Sequence, residues 1–441
     1  MSIKFKWETE FKETELRDIP KDWEERKISD FYKLLYGITT SSSDKGNCRL
    51  LRMTDIGKEG INIGTVPYAE TSEKELRKYS LKDDDLIISR IANVGAIGYI
   101  KKDLLERMDK PLIFGSYLLK FVKLSETEVN NKFIYYFYSS NPMQEFIESI
   151  AEGSTRPNTN AKVVSRFPVY YPHPSEQSRI ATVLSWFDDL IENKKRQNEI
   201  LEKTAMAIFK SWFIDFEPFK NEEFVDSELG QMPKGWEVKP IGEMAEIRNG
   251  LSYSGKEKFE EPVEGGYIFI TLNNAIEGGG FKPVYAWIKS DRIKKRHFLE
   301  EGDLIIPNTE QTKDERLLGS PGIVFFPPGY KYKGIYSHHI TKILLFDPKH
   351  KLYLYLFLRF TREDSASFAT GTGVLGMDIE NFRKNKLVVV PPLEIINRFH
   401  SLVEPLFQKI IRNQKQIMVL RKIRDTLLPL LVYGRLRVEE I

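Results

Sequence analysis

The amino-acid sequence repeats itself. Residues 19–39 read IPKDWEERKISDFYKLLYGIT, residues 232–252 read MPKGWEVKPIGEMAEIRNGLS, and the two segments align without a gap. The identical pairs include Pro20 and Pro233, Lys21 and Lys234, Trp23 and Trp236, Ile28 and Ile241, and Gly37 and Gly250. Further matches follow in the same order: residues 85–88 with 303–306, 133–138 with 353–358, Gly153 with Gly371, and 174–176 with 392–394. Such self-similarity in a chain of 441 residues predicts two copies of one domain.

Each copy opens with about 150 residues of mixed α/β character. Short β-type runs are separated by Gly, Asn, Asp and Pro, which predicts strands and turns. The runs are residues 86–89, 97–100 and 117–122 in the first copy, and 268–272, 304–306, 323–326 and 343–346 in the second. A helix with an aromatic face is predicted over residues 132–150, with a twin over 352–368.

Each copy closes with a long helical pattern, in which apolar residues recur at steps of three and four. The first stripe comprises Ile180, Val183, Leu184, Phe187, Leu190, Ile191, Leu201, Ala205, Ile208, Phe209 and Trp212. The second comprises Phe399, Leu402, Leu406, Ile410, Ile417, Leu420, Leu427 and Leu431. Two helices of about 30 residues, each roughly 45 Å long, bury such stripes by pairing with each other. We expect an antiparallel pair, because a whole domain separates the two helices in the chain.

The predicted fold class is therefore mixed α/β, with two pseudo-repeated globular domains separated by two long antiparallel coiled-coil helices. The expected boundaries are 1–173 for the first domain, 174–226 for the central helical region, 227–391 for the second domain and 392–441 for the distal helical region. Polar residues interrupt the stripes at Lys194, Asn198 and Asn413. They either fix the register of the pair or mark local fraying. Pro405 predicts that the second helix starts late or bends there.

Composition narrows the function classes. The formal net charge is only +3, so the chain is no bulk polycation, although 12% aromatic residues and dispersed Lys and Arg permit local DNA-binding surfaces. The single cysteine, Cys48, rules out disulfides within the chain and a Cys-based zinc site. The sequence has no run of 18 apolar residues, and residues 1–11 lack the apolar core of a secretory signal. We expect a cytoplasmic protein without membrane contact.

Several motifs resemble those of the specificity subunits of type I restriction–modification systems, over essentially the whole chain. The opening signature Pro-Lys-x-Trp-Glu occurs at residues 20–24 and 233–237. Residues 174–181 (PSEQSRIA) resemble the family's start of its helical spacer, and residues 207–216 (AIFKSWFIDF) resemble the end of that spacer. Residues 424–429 (RDTLLP) resemble the end of the distal helix. The second junction departs from the pattern, with Glu394-Ile395 where the family has Glu-Gln.

The resemblance implies two target recognition domains that read the halves of a bipartite double-stranded DNA sequence, with the paired helices setting the unread gap. It implies a chain without catalysis of its own. Two methyltransferase subunits would bring S-adenosylmethionine, and restriction subunits would use ATP and Mg²⁺; no cofactor or metal is expected on this chain. The candidate partner-binding positions on the helices are Phe187, Leu190, Leu201, Phe209, Trp212, Leu406, Ile410, Leu420 and Leu427.

Candidate DNA-binding residues lie in two polar loops of each copy. One loop, residues 153–160 in the first copy, carries Arg and Asn side chains of the kind that contact guanine and adenine, and its counterpart begins at Thr370. The other loop follows the apolar strand of the repeat. The candidates are Arg90, Asn93, Ser154, Thr155, Arg156, Asn158 and Asn160 in the first copy, and Asn308, Gln311, Lys313, Thr370 and Thr372 in the second. The basic run 292–297 (RIKKRH) is either a phosphate contact or a solvated surface.

Other functions find weaker support. Residues 371–376 fit G-x-G-x-x-G but are predicted to follow a polar helical segment rather than a strand, and residues 250–256 approach a phosphate-binding loop but continue with Glu257. His338 and His339 are predicted to be a poor chelate, because adjacent residues of a strand point to opposite faces. Two alternatives remain open: a restriction–modification enzyme with recognition fused to catalysis, for which no methyltransferase motif is found, and a duplicated helical scaffold that binds protein only.

Overall fold

The computed structural model describes residues 3–57, 60–125, 127–151, 158–310, 317–371 and 374–441. The chain forms two compact units. The first unit comprises Met1–Ile191 and Leu420–Ile441, and the second comprises Glu192–Val419. Both divisions fall inside the long helices, whereas the sequence pattern placed the domain boundaries at the helix ends. Each unit therefore contains one mixed α/β domain and a segment of both helices.

The first unit is built on a four-stranded antiparallel sheet. Its strands lie in the order Ile97–Tyr99, Leu86–Ser89, Leu118–Lys123 and Tyr32–Tyr36. A three-stranded sheet contains Leu112–Phe114, Cys48–Leu51 and Tyr68–Ala69. The helices outside the long pair are Ile28–Phe31, Glu73–Tyr79, Lys102–Glu106, Asn131–Ser139, Asn141–Ala151 and Ala161–Val164. Strands Lys4–Trp7 and Leu436–Glu440 pair with each other, and so do Glu24–Lys27 and Pro168–Tyr171.

The second unit repeats this plan. Its antiparallel sheet has the order Ala245–Asn249, Ile340–Leu345, Leu304–Pro307 and Gly322–Ile323. A five-stranded sheet contains Lys258–Phe259, Ala286–Ile288, Tyr267–Ile270, Gly334–Tyr336 and Phe298–Leu299. The helices outside the long pair are Lys351–Phe360, Arg362–Ala366 and Ile379–Asn385. The mixed α/β prediction is confirmed for both copies.

The same mostly buried ion pair lies at the start of the matching strand in each copy. In the first unit the Lys120 ammonium lies 2.5 Å from the carboxylate of Asp85, and in the second Lys342 lies 2.6 Å from Asp303. Each carboxylate also accepts a hydrogen bond from a backbone N–H three residues earlier, at 2.6 Å in both units. In the repeated Asp-Leu-Ile-Ile sequence, the Leu-Ile-Ile residues therefore form a buried strand, and the aspartate before it ties the sheet to the preceding turn.

The two long helices run from Pro174 to Phe213 and from Leu393 to Val432, each 40 residues long rather than about 30. Pro405 lies within the second helix, and the expectation of a late start there is wrong. Ile396, Phe399 and Val403 are fully buried in the turns before the proline, so packing offsets the lost backbone donor. The predicted single helices 132–150 and 352–368 are each two helices, interrupted at Ser140 and Thr361.

The antiparallel pairing of the helices is confirmed within each unit. In the second unit Lys194 contacts Gln416, Asn198 contacts Asn413 and Phe213 packs on Phe399, so residue numbers rise along one helix as they fall along the other. In the first unit Arg424 donates to the Asp188 carboxylate at 2.6 Å. None of the helices in the described ranges combines the length and hydropathy of a bilayer-spanning segment.

The polar interruption at the middle of the seam is a buried contact rather than a frayed region. The Asn413 amide donates to Asn198 Oδ1 at 2.9 Å, and the two residues are 0% and 4% exposed. One polar atom of each side chain remains without a hydrogen-bond partner among the described residues. These atoms are Nδ2 of Asn198 and Oδ1 of Asn413. A buried pair of this kind disfavours alternative registers, because a shift leaves both amides without partners.

Candidate nucleic-acid interface

The two candidate loops of each copy lie side by side. In the first unit Ile91, in the loop after strand Leu86–Ser89, forms an antiparallel bridge with Asn158. In the second unit Thr309, in the loop after strand Leu304–Pro307, forms the same bridge with Gly376. The sequence identified the loops separately, and the structure brings them together in both copies.

A repeated glycine positions the turn that faces these loops. A Cβ atom on Gly37 would lie 2.2 Å from the Gly115 carbonyl oxygen, and one on Gly250 would lie 2.3 Å from that of Ser337. Only glycine permits such a close approach. The turn thus held carries Tyr117 in the first unit and His339 in the second.

Arg90 is the centre of the first unit's interface. Its guanidinium lies 5.4 Å from the ring centre of Tyr36 and 5.8 Å from that of Tyr117. Its Nε donates to the Ser116 carbonyl at 2.9 Å, and Nη1 donates to Asn158 Oδ1 at 3.4 Å. Both tyrosines are exposed, at 42% and 50%. The surface thus presents a cation held between two aromatic rings, a group that suits base edges and backbone phosphates.

The rest of the Arg90 loop is strained and exposed. Ala92 has a φ of 61°, in the left-handed region that is unfavourable for a residue with a Cβ atom. Such strain is concentrated at functional sites, where the surrounding structure maintains it. Asn93, also exposed, donates its amide to the Ile56 carbonyl at 3.1 Å.

The asparagines of the second loop have different roles. The Asn158 side chain is exposed and accepts from Arg90. Asn160 is exposed, but its Oδ1 caps the helix Ala161–Val164 by accepting from the Val163 N–H at 3.1 Å. Its repeat counterpart Asp378 caps Ile379–Asn385 in the same way. This shared cap shows a structural role for Asn160. The candidates Ser154, Thr155 and Arg156 lie outside the described residues.

The second unit places neutral polar groups at the same positions. Strand register makes Asn308 the equivalent of Arg90, Asn249 that of Tyr36 and His339 that of Tyr117. Asn308 is only 8% exposed and donates to the His338 carbonyl and the Thr341 hydroxyl, both at 2.9 Å. Its predicted direct base contact is disfavoured, because the amide is already used inside the protein. The ring of His339 lies 3.0 Å from the Thr309 hydroxyl.

The remaining candidates of the second unit lie around the same loop. Thr370 is exposed and its hydroxyl donates to the Gly376 carbonyl at 3.2 Å. Glu310 is buried, and its carboxylate accepts from the backbone N–H groups of Leu317 and Leu318 at 2.7 and 3.0 Å. The candidates Gln311, Lys313 and Thr372 lie outside the described residues.

The basic run 292–297 is partly neutralised within the protein. Arg292 forms an ion pair with Glu257. Hydrogen bonds from Ser290, from the Ser254 backbone and from Arg292 lower the pKa of the Glu257 carboxyl to about 2. His297 is 4% exposed, and burial lowers its pKa. Lys294, Lys295 and Arg296 are exposed charges of this run that form no ion pair with a described residue.

Sequence reasoning missed Tyr36, Tyr117 and Asn249, and considered His339 only as a metal ligand. Tyr36 and Asn249 end their strands, whereas Tyr117 and His339 directly precede theirs, and these strands join the sheet from distant parts of the chain. The available signal was the repeat itself, since Tyr36 and Asn249 lie directly before the matched Gly37 and Gly250. No cluster of three or more His, Cys, Asp or Glu side chains in the described ranges is arranged to hold a metal ion.

Most predicted partner-binding positions on the helices pack inside the chain. Phe209 is fully buried and Ile410 is 8% exposed, so neither side chain is available to a partner. Phe187, Leu201, Trp212, Leu406 and Leu427 are partly buried against the two cores, and Leu420 is half-buried. Leu190 alone among them is well exposed, at 50%. The other exposed apolar residues on the helices are Trp186, Ile200, Leu393, Leu402, Val419 and Ile423.

Comparison with known proteins agrees with this architecture. The family model described as type I restriction modification DNA specificity domain matches residues 20–203 and 233–419. A type I restriction enzyme specificity subunit of Methanocaldococcus jannaschii (MjaIX) is 36% identical, over 100% of this chain and 99% of its own length. The HindI specificity subunit of Haemophilus influenzae is 23% identical over 81% of this chain and 88% of its own. The crystal structure of a type I S subunit from M. genitalium has the same fold, with a TM-score of 0.53 at 18% identity over 93% of this chain and 96% of its own.

Proposed function

Because the chain belongs to the family of type I restriction modification DNA specificity subunits, we propose that each of its two units reads one half of a bipartite DNA target at the paired loops described above. The observation that carries this proposal is the repeated bridge between those loops, Ile91 to Asn158 and Thr309 to Gly376. The same frame presents different side chains in the two units. Two different half-sites follow, since base edges are distinguished by the donors and acceptors they meet.

In the first unit Arg90 is the principal reader. A guanidinium presents a planar fork of donors that matches guanine O6 and N7. The flanking rings of Tyr36 and Tyr117 and the Asn158 carbonyl orient that fork before DNA arrives. Orienting a flexible side chain in advance reduces the entropy lost on binding.

The paired helices act as the spacer between half-sites. Each is 40 residues long, which corresponds to about 60 Å at 1.5 Å per residue. The buried Asn198–Asn413 contact fixes their register, so that helix length converts into a defined number of unread base pairs. Partner subunits dock on the exposed helix residues, with Leu190 and Trp186 as one site.

The chain supplies recognition, and its partners supply the chemistry. Two methyltransferase subunits with S-adenosylmethionine, and restriction subunits with ATP and Mg²⁺, complete the complex in the cytoplasm. This division is supported by the family and by the chemistry of the interface, where donors and acceptors for bases prevail over groups suited to nucleophilic or acid–base catalysis.

The test is to express the chain with its cognate methyltransferase subunit in a methylation-free host and to map the modified bases by single-molecule sequencing. We expect one bipartite motif with a constant gap. Inserting one helical turn between Gln197 and Leu201 should lengthen the gap and leave both half-sites unchanged. A single contiguous motif, or binding of the purified complex to all DNA with equal affinity, would contradict the proposal.

A further inference from the structure

The second unit contains a chain of hydrogen bonds whose direction is determined at its buried end. The Asn308 amide lies 2.9 Å from the His338 carbonyl oxygen, which can only accept. The nitrogen of that amide therefore faces His338, and Oδ1 faces the opposite way. Thr341 is consistent with this orientation, because its hydroxyl accepts from the Asn308 nitrogen at 2.9 Å and donates to Asn249 Oδ1 at 3.1 Å.

Thr309 transmits this direction to the histidine. Its hydroxyl lies 2.9 Å from Asn308 Oδ1, an atom that can only accept, so the single hydroxyl proton is used there. The contact of 3.0 Å between the hydroxyl oxygen and His339 Nδ1 must then be donated by the ring. A neutral imidazole that carries its hydrogen on Nδ1 has a lone pair on Nε2. Assigning protons from the network in this way is the ordinary basis for choosing a histidine tautomer.

We propose that Nε2 of His339 is the acceptor with which the second unit reads an exocyclic amino group, N6 of adenine or N4 of cytosine, in the major groove. This inference rests on the proposed function. Those two amino groups are the donors that base pairs present in that groove. The first unit, with Arg90 at the centre of its interface, presents donors instead, so the two units would require opposite groups in their half-sites.

The position of His339 supports a reading role. The residue occupies the place of Tyr117, beside the loop that bridges Thr309 to Gly376. Its ring lies against that of His338, with 3.8 Å between centroids, and His338 packs in turn on Tyr253. Within the part of the chain that the structure describes, the hydrogen bond to Thr309 uses Nδ1 and none is made by Nε2.

The acceptor depends on the ring staying neutral. Burial and the neighbouring His338 lower the pKa of His339 below its ordinary value of about 6.5. Among the residues that the structure describes, the titratable groups in contact with it are His338 and, beyond that ring, Tyr253; Thr309, Asn308 and Asn249 are neutral. Above the pKa the lone pair is present and the amino group is read. As the pH falls through the pKa, Nε2 becomes a donor and the discrimination is lost.

The experiment uses the full chain in complex with its methyltransferase subunits and duplexes that carry the mapped motif. Each adenine of the second half-site is replaced in turn by purine, which lacks the N6 amino group, and each cytosine by 2-pyrimidinone, which lacks the N4 amino group. One replacement should weaken binding of the unmodified complex by about 5- to 150-fold, and its identity tells adenine from cytosine. That discrimination should hold at pH 7.5 and disappear as the pH falls through the His339 pKa.

The matched variant is His339→Asn, whose amide nitrogen reaches the position of Nδ1 while no atom takes the place of Nε2. It should bind the intact and the amino-deleted duplex equally at every pH. Thr309→Val leaves the ring in place but removes the group that fixes its tautomer, and should lose part of the discrimination. Thermal denaturation shows whether either variant is folded, and recognition of the first half-site is the internal control.

Equal loss of affinity for the deleted duplex in His339→Asn and the unmodified complex would overturn the inference, as would insensitivity of the unmodified complex to every deletion. In both cases a retained bipartite preference leaves the proposed function standing. A complex without any sequence preference overturns both.

Discussion

The two units share a frame, which consists of the antiparallel sheet, the two bridged loops and the turn held by the glycine. They differ in the side chains that this frame carries at the candidate interface. Three equivalent positions at the candidate interface hold a cation between aromatic rings in the first unit and amides with an imidazole in the second. The pairs are Arg90 and Asn308, Tyr36 and Asn249, and Tyr117 and His339. The first set is largely at the surface, with both tyrosines exposed, whereas Asn308 is 8% exposed.

Other matched positions are unchanged in role. The ion pairs of Asp85 and Asp303, the close approaches of Gly37 and Gly250, and the caps of Asn160 and Asp378 recur with nearly the same geometry. The two units thus differ in residue type mainly where side chains face the loops. They are similar where side chains hold the backbone in place. A duplicated reader needs this separation, because the half-sites can change only if the frame is independent of them.

The largest expected effect concerns the shared frame. Asp85→Asn and Asp303→Asn each leave a mostly buried lysine without its counter-charge, and each should lower the unfolding free energy of its own unit by about 3 kcal/mol. The two losses should be similar, because the side chains of both pairs are less than a fifth exposed. Hydrogen exchange resolved by peptide is the measurement, since it reports each unit separately.

Exposed ion pairs provide the control for this experiment. Glu24→Gln in the first unit and Glu223→Gln in the second remove partners of Arg26 and Lys234 that are all more than half exposed. Neither substitution should measurably change hydrogen exchange, because water solvates the remaining charge. A large loss for Asp85→Asn with none for Asp303→Asn would show that the frames are not equivalent.

The second effect separates the readers. Arg90→Ala should weaken binding to the cognate duplex by about 2 kcal/mol, the middle of the range for a lost bidentate base contact. The variant should tolerate more base changes in the first half-site, and its tolerance of changes in the second half-site should stay the same. Binding competition between the cognate duplex and duplexes altered in one half-site measures both.

The matched variant for Arg90 is lysine. Arg90→Lys keeps the charge but not the planar fork, so it should recover affinity for random DNA and not the preference for the cognate first half-site. If Arg90→Ala weakens binding to cognate and to random DNA by the same factor, Arg90 contacts only phosphate. The first unit would then have no base-reading residue to compare with those of the second.

Local patterns predicted the frame well. Buried strands appear as apolar runs, and the helix stripes have a clear period, so the repeat was found with its sheets and its helix pair. The errors have local causes that the pattern hid. Pro142 lies in the first turn of a new helix, where proline is tolerated, and so the helix before it ends at Ser139. Pro405 lies inside a helix because three fully buried residues precede it.

The residues of the candidate interface were harder to predict. The loops carrying Arg90 and Asn308 follow recognisable strands, but Tyr117 and His339 come from a turn that only sheet pairing brings beside them. Residue type alone does not decide the role either, since Asn308 and Asn160 are chemically suited to bases and also serve the protein's own hydrogen bonds. Burial and partner identity decide between these roles, and both are tertiary properties.

A third, smaller effect concerns the helix seam, where the units again differ. The first unit joins the helices through Asp188 and Arg424, and the second through Asn198 and Asn413. Asn413→Leu should lower the unfolding free energy by about 1.5 kcal/mol, because it leaves the Asn198 amide buried without a partner.

The double replacement Asn198→Leu with Asn413→Leu should restore stability but allow more than one register. Urea denaturation measures the first expectation, and the spread of gap lengths in methylation mapping measures the second. A double variant with one sharp gap length would show that the asparagines do not set the register.

The smallest effect tests whether Asn160 belongs to the frame or to the reader. Because both residues cap a helix, Asn160→Ala and Asp378→Ala should each destabilise their short helices by about 1 kcal/mol, the usual cost of a lost N-cap, and should do so to a similar extent. Asn160→Asp keeps an accepting oxygen and should retain stability, as the second unit's own aspartate does.

A carboxylate facing DNA would instead repel the DNA backbone, so a reading role predicts that Asn160→Asp abolishes preference for the first half-site while the helix stays intact. Hydrogen exchange at Ala161–Val164, measured beside binding to the two half-sites, separates these outcomes, because a cap changes the first quantity and a reader the second.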